Sequence, residues 1–146
     1  MLTSRDKKIL RYMEEYPVGL TISQAGMMFF PRGNFNYTYA RQRMKTLLDM
    51  GALKYFKNPY TKEIIYYLEG QKPTVHNNTI INVYANLVYY NYRILSFKRE
   101  QSFLESKIRV DALTIYQNDS GTKIAIIESS LTNPPEISLR KLETVY

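Results

Sequence analysis

The chain has 146 residues, 45% of them hydrophobic and 23% charged, a composition typical of a globular protein and too apolar for a disordered one. It contains no cysteine, which excludes disulfides and thiolate metal sites. No apolar run reaches the roughly 18 residues of a membrane helix, and the N-terminal residues lack the apolar core of a signal peptide. We therefore expect a cytoplasmic protein without a membrane partner.

The net charge of +7 is distributed unevenly. Residues 1–70 hold 11 Lys and Arg against 6 Asp and Glu, whereas residues 71–146 hold 9 against 7. This distribution predicts a polyanionic partner for the N-terminal half. A basic surface without a partner gives the same count, so charge alone leaves both interpretations open.

Two short helices are predicted first. Residues 3–15 have an apolar stripe at helical spacing, and Thr3 with Asp6 forms a capping-box pattern at their start. A proline and a glycine at positions 17 and 19 end this helix. A second helix follows in TISQAGMMFF, with Thr21 or Ser23 as its N-cap.

A third helix is predicted in NFNYTYARQRMKTLLDMG, with Asn36 as its cap and Gly51 as its C-terminal stop. Helical periodicity puts five residues on the face that points to the core: Tyr37, Ala40, Met44, Leu47 and Leu48. The opposite face and its flanks carry polar and aromatic residues: Thr38, Arg41, Gln42 and Lys45, flanked by Tyr39 and Arg43. Arginine suits guanine, glutamine suits adenine, and lysine and threonine suit phosphates, so this face is predicted to enter a DNA major groove.

A β-hairpin is predicted after the third helix. Residues 52–57 and 63–68 are rich in Tyr, Phe and Ile and flank a turn at residues 58–62. Four residues along the hairpin suit contacts with a phosphate backbone: Lys54, Lys57, Tyr60 and Lys62. Three helices followed by a basic hairpin predict a winged helix-turn-helix domain over residues 1–70 that binds double-stranded DNA. Winged helices also serve as protein-interaction modules, which is the alternative for this half.

A second domain is predicted over residues 74–146, after the polar linker QKPT. Its order is a helix in VHNNTIINVYANLVYYN, three strands and a further helix from about residue 135, so the whole chain is predicted to be α+β. The second and third strands lie in RVDALTIY and KIAIIESSL, joined by a tight turn at NDSG. Since the chain ends at Tyr146 within the last predicted helix, we expect either a minimal version of this domain or a piece of a longer protein.

Two acids on these strands resemble the metal ligands of the PD-(D/E)xK nuclease superfamily. Asp111 lies on the second strand and Glu128 on the third, and the resemblance implies that they would bind Mg²⁺. The motif has a lysine where this chain has Ser130 and a proline where it has Val110. Lys141 in the next helix is the candidate to replace that lysine. We expect a remnant αβββα domain with no catalytic residue, metal or other cofactor.

The layout of the chain resembles the replication-relaxation family of plasmids, phages and conjugative elements. The resemblance rests on LTSRDKKIL, the hairpin, an isolated His76, RVDALTIY and KLETVY. It implies a winged helix followed by a degenerate nuclease-like domain, with a role in plasmid replication or in the relaxosome of conjugative transfer. Where family members have a fuller acidic run, this chain has ESSLTN, which keeps Glu128 and Thr132 but no second acid or glycine.

The single histidine and the glycine pattern exclude two enzyme classes. One histidine cannot form the metal-binding cluster of a relaxase that uses a nucleophilic tyrosine, and no glycine-rich loop of an ATPase is present. His76 itself has two interpretations: a structural or site residue, as the family resemblance implies, or a solvated residue that caps a helix.

Three functions remain open. The first is a sequence-specific DNA-binding accessory protein of a mobile element, whose silent second domain dimerises or contacts a relaxase or replication initiator. We expect a homodimer, because such domains commonly bind repeated half-sites. The second is a metal-dependent endonuclease that uses Asp111 and Glu128, assisted by Lys141. The third is a repressor of its own operon, which is compatible with the first.

Overall fold

The computed structural model of the protein describes residues 2–30, 36–103 and 108–128. Within these ranges the fold is α+β, as predicted, with four helices and two antiparallel sheets of three strands each. The elements in chain order are α1 (Ser4–Glu15), β1 (Leu20–Thr21), α2 (Ile22–Phe29), α3 (Asn36–Asp49), β2 (Lys54–Lys57), β3 (Ile64–Tyr67), α4 (Val75–Tyr89), β4 (Arg93–Phe103), β5 (Ile108–Asn118) and β6 (Gly121–Ile127).

The chain divides into two compact units, Met1–Tyr89 and Tyr90–Tyr146. The first unit contains the four described helices and a sheet with the strand order β1-β3-β2, and the second contains a sheet with the order β4-β5-β6. The sequence instead predicts that the second domain starts at residue 74, ahead of α4. In the structure α4 belongs to the first unit.

A buried polar network explains why α4 joins the first unit. The side-chain nitrogen of Gln24 in α2 donates to the carbonyl oxygen of Asn78 at 3.0 Å and to the side-chain oxygen of Asn82 at 2.8 Å. Asn78 in turn donates to the carbonyl oxygens of Val18 and Gly19, at 3.2 and 3.1 Å. Gln24 and Asn78 are both buried. Separating α4 would leave buried polar groups without partners, which costs more than the bonds themselves contribute.

Three of the predicted helix ends are confirmed by their hydrogen bonds, whereas Asn36, the predicted cap of α3, is the first residue within that helix. At the start of α1, the Asp6 N–H donates to the Thr3 hydroxyl at 3.0 Å and the Thr3 N–H donates to the Asp6 carboxylate at 2.9 Å. Thr21 caps α2 in the same way. Beyond α3, Gly51 has a φ of +79°, and Ala52 donates to the Leu47 carbonyl at 2.9 Å. This pair of features is the Schellman stop that favours glycine.

The core of the first unit is formed by the inward faces of its helices and by β3. Its fully buried residues include Ile9, Leu20, Met44, Leu47, Ile65 and Ile81. The predicted inward face of α3 is confirmed for three of its members, but Tyr37 is 51% exposed. The prediction for Tyr37 was wrong because the first turn of α3 extends beyond the core, where Tyr37 lines a cleft beside the hairpin.

The predicted hairpin is confirmed as β2 and β3. The two strands pair antiparallel, with Lys54 opposite Tyr67 and Lys57 opposite Ile64. The turn is held by Asn58, whose buried side-chain oxygen accepts hydrogen bonds from the backbone N–H groups of residues 60 and 61 at 2.8 and 3.3 Å. An Asx turn of this kind fixes the tip of the hairpin without help from the rest of the fold.

The second unit is an antiparallel meander in the part of the chain that the structure describes. Residues Ala112 to Asn118 of β5 pair with Gly121 to Ile127 of β6 in continuous register. The turn lies where NDSG predicts it, and Gly121 has a φ of +114°. The predicted last helix, with Lys141, lies outside the described residues. In the described ranges, none of the helices combines the length and the apolar character required to cross a membrane.

Gly19 provides a test of the packing between β1 and β3. Its φ is +69°, and a Cβ there would lie 2.8 Å from Ile65 Cγ2 and 2.9 Å from the carbonyl oxygen of Tyr66. We expect Gly19→Ala to lower the free energy of unfolding by about 3 kcal/mol, because backbone strain and a backbone clash add together. Gly51→Ala is the matched control. Gly51 has a similar φ but open space around it, so this substitution should lower the free energy of unfolding by about 1 kcal/mol. If urea unfolding showed that Gly19→Ala and Gly51→Ala lower the free energy of unfolding equally, this packing would be contradicted.

Candidate nucleic-acid interface

The outer face of α3 is a polar and cationic ridge supported by the core. Its predicted DNA-contacting side chains are exposed: Thr38, Arg41, Gln42 and Lys45. The side chains on the inner face include Ala40, Met44 and Leu47, none of which is accessible to solvent. Arg41 and Lys45 lie one helical turn apart, so their charges project from the same side of the helix. The ridge is therefore presented on a helix that its buried face holds in place.

The hairpin lies beside the first turns of α3. Tyr37 lines a cleft of about 280 Å³ together with Lys62 and Ile64 of the hairpin. Burial raises the pKa of Tyr66 in β3, Tyr37 adds to this effect, and Arg41 opposes it. The first turn of α3 and the hairpin therefore border the same cleft.

All four hairpin residues predicted to contact DNA are exposed: Lys54, Lys57, Tyr60 and Lys62. Lys54 and Lys57, both in β2, point to opposite faces of the hairpin, because successive residues of a strand alternate between its faces. Tyr55 pairs with Tyr66, and Lys57 shares that face, which is the face close to α3. Lys54 points to the opposite face. Tyr55 is 57% exposed and was missed by the sequence analysis, although the hairpin register could have identified it.

Arg43 differs from the other predicted DNA contacts because it forms an ion pair within the first unit. Its Nε donates to Oδ1 of Asp6 at 3.0 Å, and an Nη nitrogen donates to Oδ2 of the same carboxylate. The Asp6 side chain is fully buried, whereas that of Arg43 is 29% exposed. The hydrogen bonds from Arg43 lower the pKa of Asp6, although burial opposes this shift. The guanidinium therefore joins α3 to α1 by a bidentate contact.

A second cleft borders the ridge of α3 on the side away from the hairpin. Tyr39 and Gln42 of α3 line this cleft of about 570 Å³, together with Arg5 and Lys8 of α1 and Phe30 at the end of α2. The positions of Tyr37 and Tyr39 differ by about 200° around the helix axis, which places the two clefts on opposite flanks. Arg5 and Lys8 were missed by the sequence analysis. Only the packing of α1 against α3 brings them to this surface.

The two candidate metal ligands of the second unit lie next to the last pair of the β5–β6 ladder. Ala112 pairs with Ile127, Asp111 precedes Ala112 in β5, and Glu128 follows the end of β6. No group of three or more potential metal-ligating side chains occurs among the residues that the structure describes. His76 lies in the first turn of α4, in the first unit.

The Asp6–Arg43 pair predicts a pH-dependent contribution to stability. Because the folded state lowers the pKa of Asp6 below its ordinary value of 3.8, the contribution is complete above that value and is lost as the pH falls through the lower, folded pKa. We expect Asp6→Asn to lower the free energy of unfolding by about 2 kcal/mol at pH 7.

The difference between Asp6→Asn and the wild type should shrink below about pH 4. Urea unfolding at pH 7 and at pH 3 measures both quantities. Glu14→Gln, an exposed carboxylate on the same helix, is the control and should change stability by less than about 0.5 kcal/mol. A loss for Asp6→Asn that is the same at both pH values would contradict a role for the ionised carboxylate.

Comparisons of the chain with protein-family models, with curated proteins and with solved structures gave no match.

Proposed function

We propose that the protein is a cytoplasmic accessory protein of a mobile element that binds double-stranded DNA through its first unit. The observation that carries the proposal is the exposed ridge of α3 beside a basic hairpin. The element order α1–β1–α2–α3–β2–β3, with β1 paired to β3, matches that of a winged helix-turn-helix and supports this assignment. In such a domain the third helix enters the major groove and the hairpin follows the phosphate backbone.

The chemistry of the exposed residues supports a division of labour on DNA. Arg41 and Gln42 have the donors and acceptors that read guanine and adenine edges, and a good bidentate contact contributes about 1–3 kcal/mol of discrimination. Lys57 and Lys62 carry point charges suited to phosphates, which position a protein on DNA without reading its sequence. Arg43 is not assigned to DNA in this proposal, because its guanidinium holds Asp6.

The proposal assigns the second unit to assembly rather than to catalysis. The resemblance to the replication-relaxation family suggests a homodimer and contact with a relaxase or replication initiator. The exposed apolar side chain of Ile124 on β6, 62% accessible, supports a role in protein contact. A repressor of its own operon would use the same DNA surface, so that function is a variant of this proposal.

Two variants of the first unit test the proposed division of labour. We expect Arg41→Ala to weaken binding to a cognate duplex by about tenfold and binding to random DNA much less, because it removes a base contact. Lys57→Ala should weaken both similarly, because it removes a phosphate contact. The measurement is fluorescence anisotropy with duplexes selected from random sequence by the wild-type protein.

Lys123→Ala is the control, an exposed lysine of the second unit. It should leave both affinities unchanged. If Arg41→Ala weakened the affinity for cognate and for random DNA equally, α3 would not read bases. Selection that yields no bound duplex would contradict DNA binding itself.

A metal-dependent endonuclease is a second candidate function, favoured by one observation. Asp111 and Glu128 flank the last pair of the β5–β6 ladder, Ala112 with Ile127, and two neighbouring carboxylates are what a shared divalent ion requires. Against it, Ser130 stands where the nuclease motif has its lysine. The motif position therefore supplies no cation to the attacking water, and the predicted substitute, Lys141, lies outside the described residues.

A cleavage assay separates the two functions. Supercoiled DNA is incubated with the protein in EDTA, in Mg²⁺ and in Mn²⁺, and its products are resolved on native and denaturing gels. The proposed function predicts bound but intact DNA under all three conditions. Metal-dependent nicking that disappears in both Asp111→Ala and Glu128→Ala would instead establish the endonuclease.

A further inference from the structure

We propose that the cleft between the start of α1, the end of α2 and the flank of α3 holds the sugar–phosphate backbone of the second DNA strand. The inference rests on the proposed function, because it concerns the same duplex. It adds a binding site at α1, with Arg5 and Lys8 as its phosphate ligands. Neither residue is part of the third helix or the hairpin.

The position of the cleft fits the geometry of a duplex. The major groove is about 12 Å wide and is bordered by two phosphate backbones. When the ridge of α3 lies in the groove, the hairpin lies at one border. The cleft lined by Tyr39 and Gln42 lies on the opposite flank of α3, where the other backbone must pass.

The charges of the cleft complement a phosphate backbone. Arg5 and Lys8 are both exposed and lie one turn apart on α1, so their cationic groups project to the same side. The described residues that line the cleft include no Asp or Glu. The nearest acid in α1, Asp6, is buried and paired with Arg43, so its charge is compensated within the fold. The N-terminal end of the α1 dipole adds further positive potential.

The cleft also holds one of its cations in place before any ligand arrives. The guanidinium carbon of Arg5 lies 4.5 Å from the centroid of the Phe30 ring, a cation–π contact that restricts the side chain. A restrained side chain loses less entropy when it binds a phosphate. Tyr39, which is 54% exposed, offers apolar surface to the deoxyribose between successive phosphates. The cleft thus offers cations to the phosphates and apolar surface to the sugars of a DNA backbone.

The test compares two double variants of α1 that remove the same charge. Arg5→Ala/Lys8→Ala removes both α1 cations of the cleft and leaves Arg43, which also lines it but is bound to Asp6. Lys7→Ala/Arg11→Ala removes two exposed cations of α1 outside the cleft lining. Duplex binding is measured by fluorescence anisotropy from about 50 to about 200 mM salt. We expect the slope of log K against log salt to become shallower by about 1.8 for the cleft variant.

The control double variant should change the slope by less than about 0.5, since its residues make no phosphate contact. The cleft variant carrying Lys at position 5, Arg5→Lys/Lys8→Ala, should recover about half of the lost slope, because one cation remains. Circular dichroism confirms that each variant is folded. These results together would support the cleft as a backbone site.

Other outcomes overturn the inference in distinguishable ways. If the wild type binds the duplex and the cleft variant keeps its slope, the cleft is not a DNA site, and the proposed function stands. Equal loss of slope in both double variants would show that only net charge matters, which also overturns the inference. Failure of the wild type to bind any duplex would overturn the proposed function and the cleft assignment together.

Discussion

The buried carboxylate of Asp6 is the constraint on which the first unit depends. One carboxylate caps α1 through Thr3 and binds the guanidinium of Arg43 in α3. Removing Arg43 would leave the buried Asp6 carboxylate without compensation, which is more costly than losing an exposed ion pair. The orientation of α3 relative to α1 is therefore set by a directional contact, in addition to the apolar core.

The consequences of this contact extend to the surface. Because Arg43 is held by Asp6, the flank of α3 beside α1 presents Tyr39 and Gln42, and the cations of that flank come from α1. On the other flank, the pairing of β2 with β3 holds the hairpin in register, and Asn58 holds its tip. A ridge with rigid borders on both sides is suited to a ligand of fixed width such as a duplex, since little ordering entropy is lost on binding.

Local features of the structure could be predicted from the sequence, and features made by distant residues could not. The capping boxes, the stop at Gly51 and the hairpin turn depend on residues within a few positions of each other. Periodicity gave the inner face of α3 but not the point where the core ends, hence the error at Tyr37. The network of Gln24 and Asn78 joins residues 54 positions apart, so nothing local indicated that α4 belongs to the first unit. The cation cleft likewise needs three separate segments.

The central claim is that duplex DNA contacts both flanks of α3 and leaves the second unit free. At 17.2 kDa the protein is accessible to NMR, and titration of ¹⁵N-labelled protein with a selected duplex reports on every amide at once. The account predicts perturbed signals in the first turns of α1, along residues 36–45 and in the hairpin, with those of β4–β6 unchanged. Perturbations confined to β5 and β6 around Asp111, or an absence of change at α3, would contradict it.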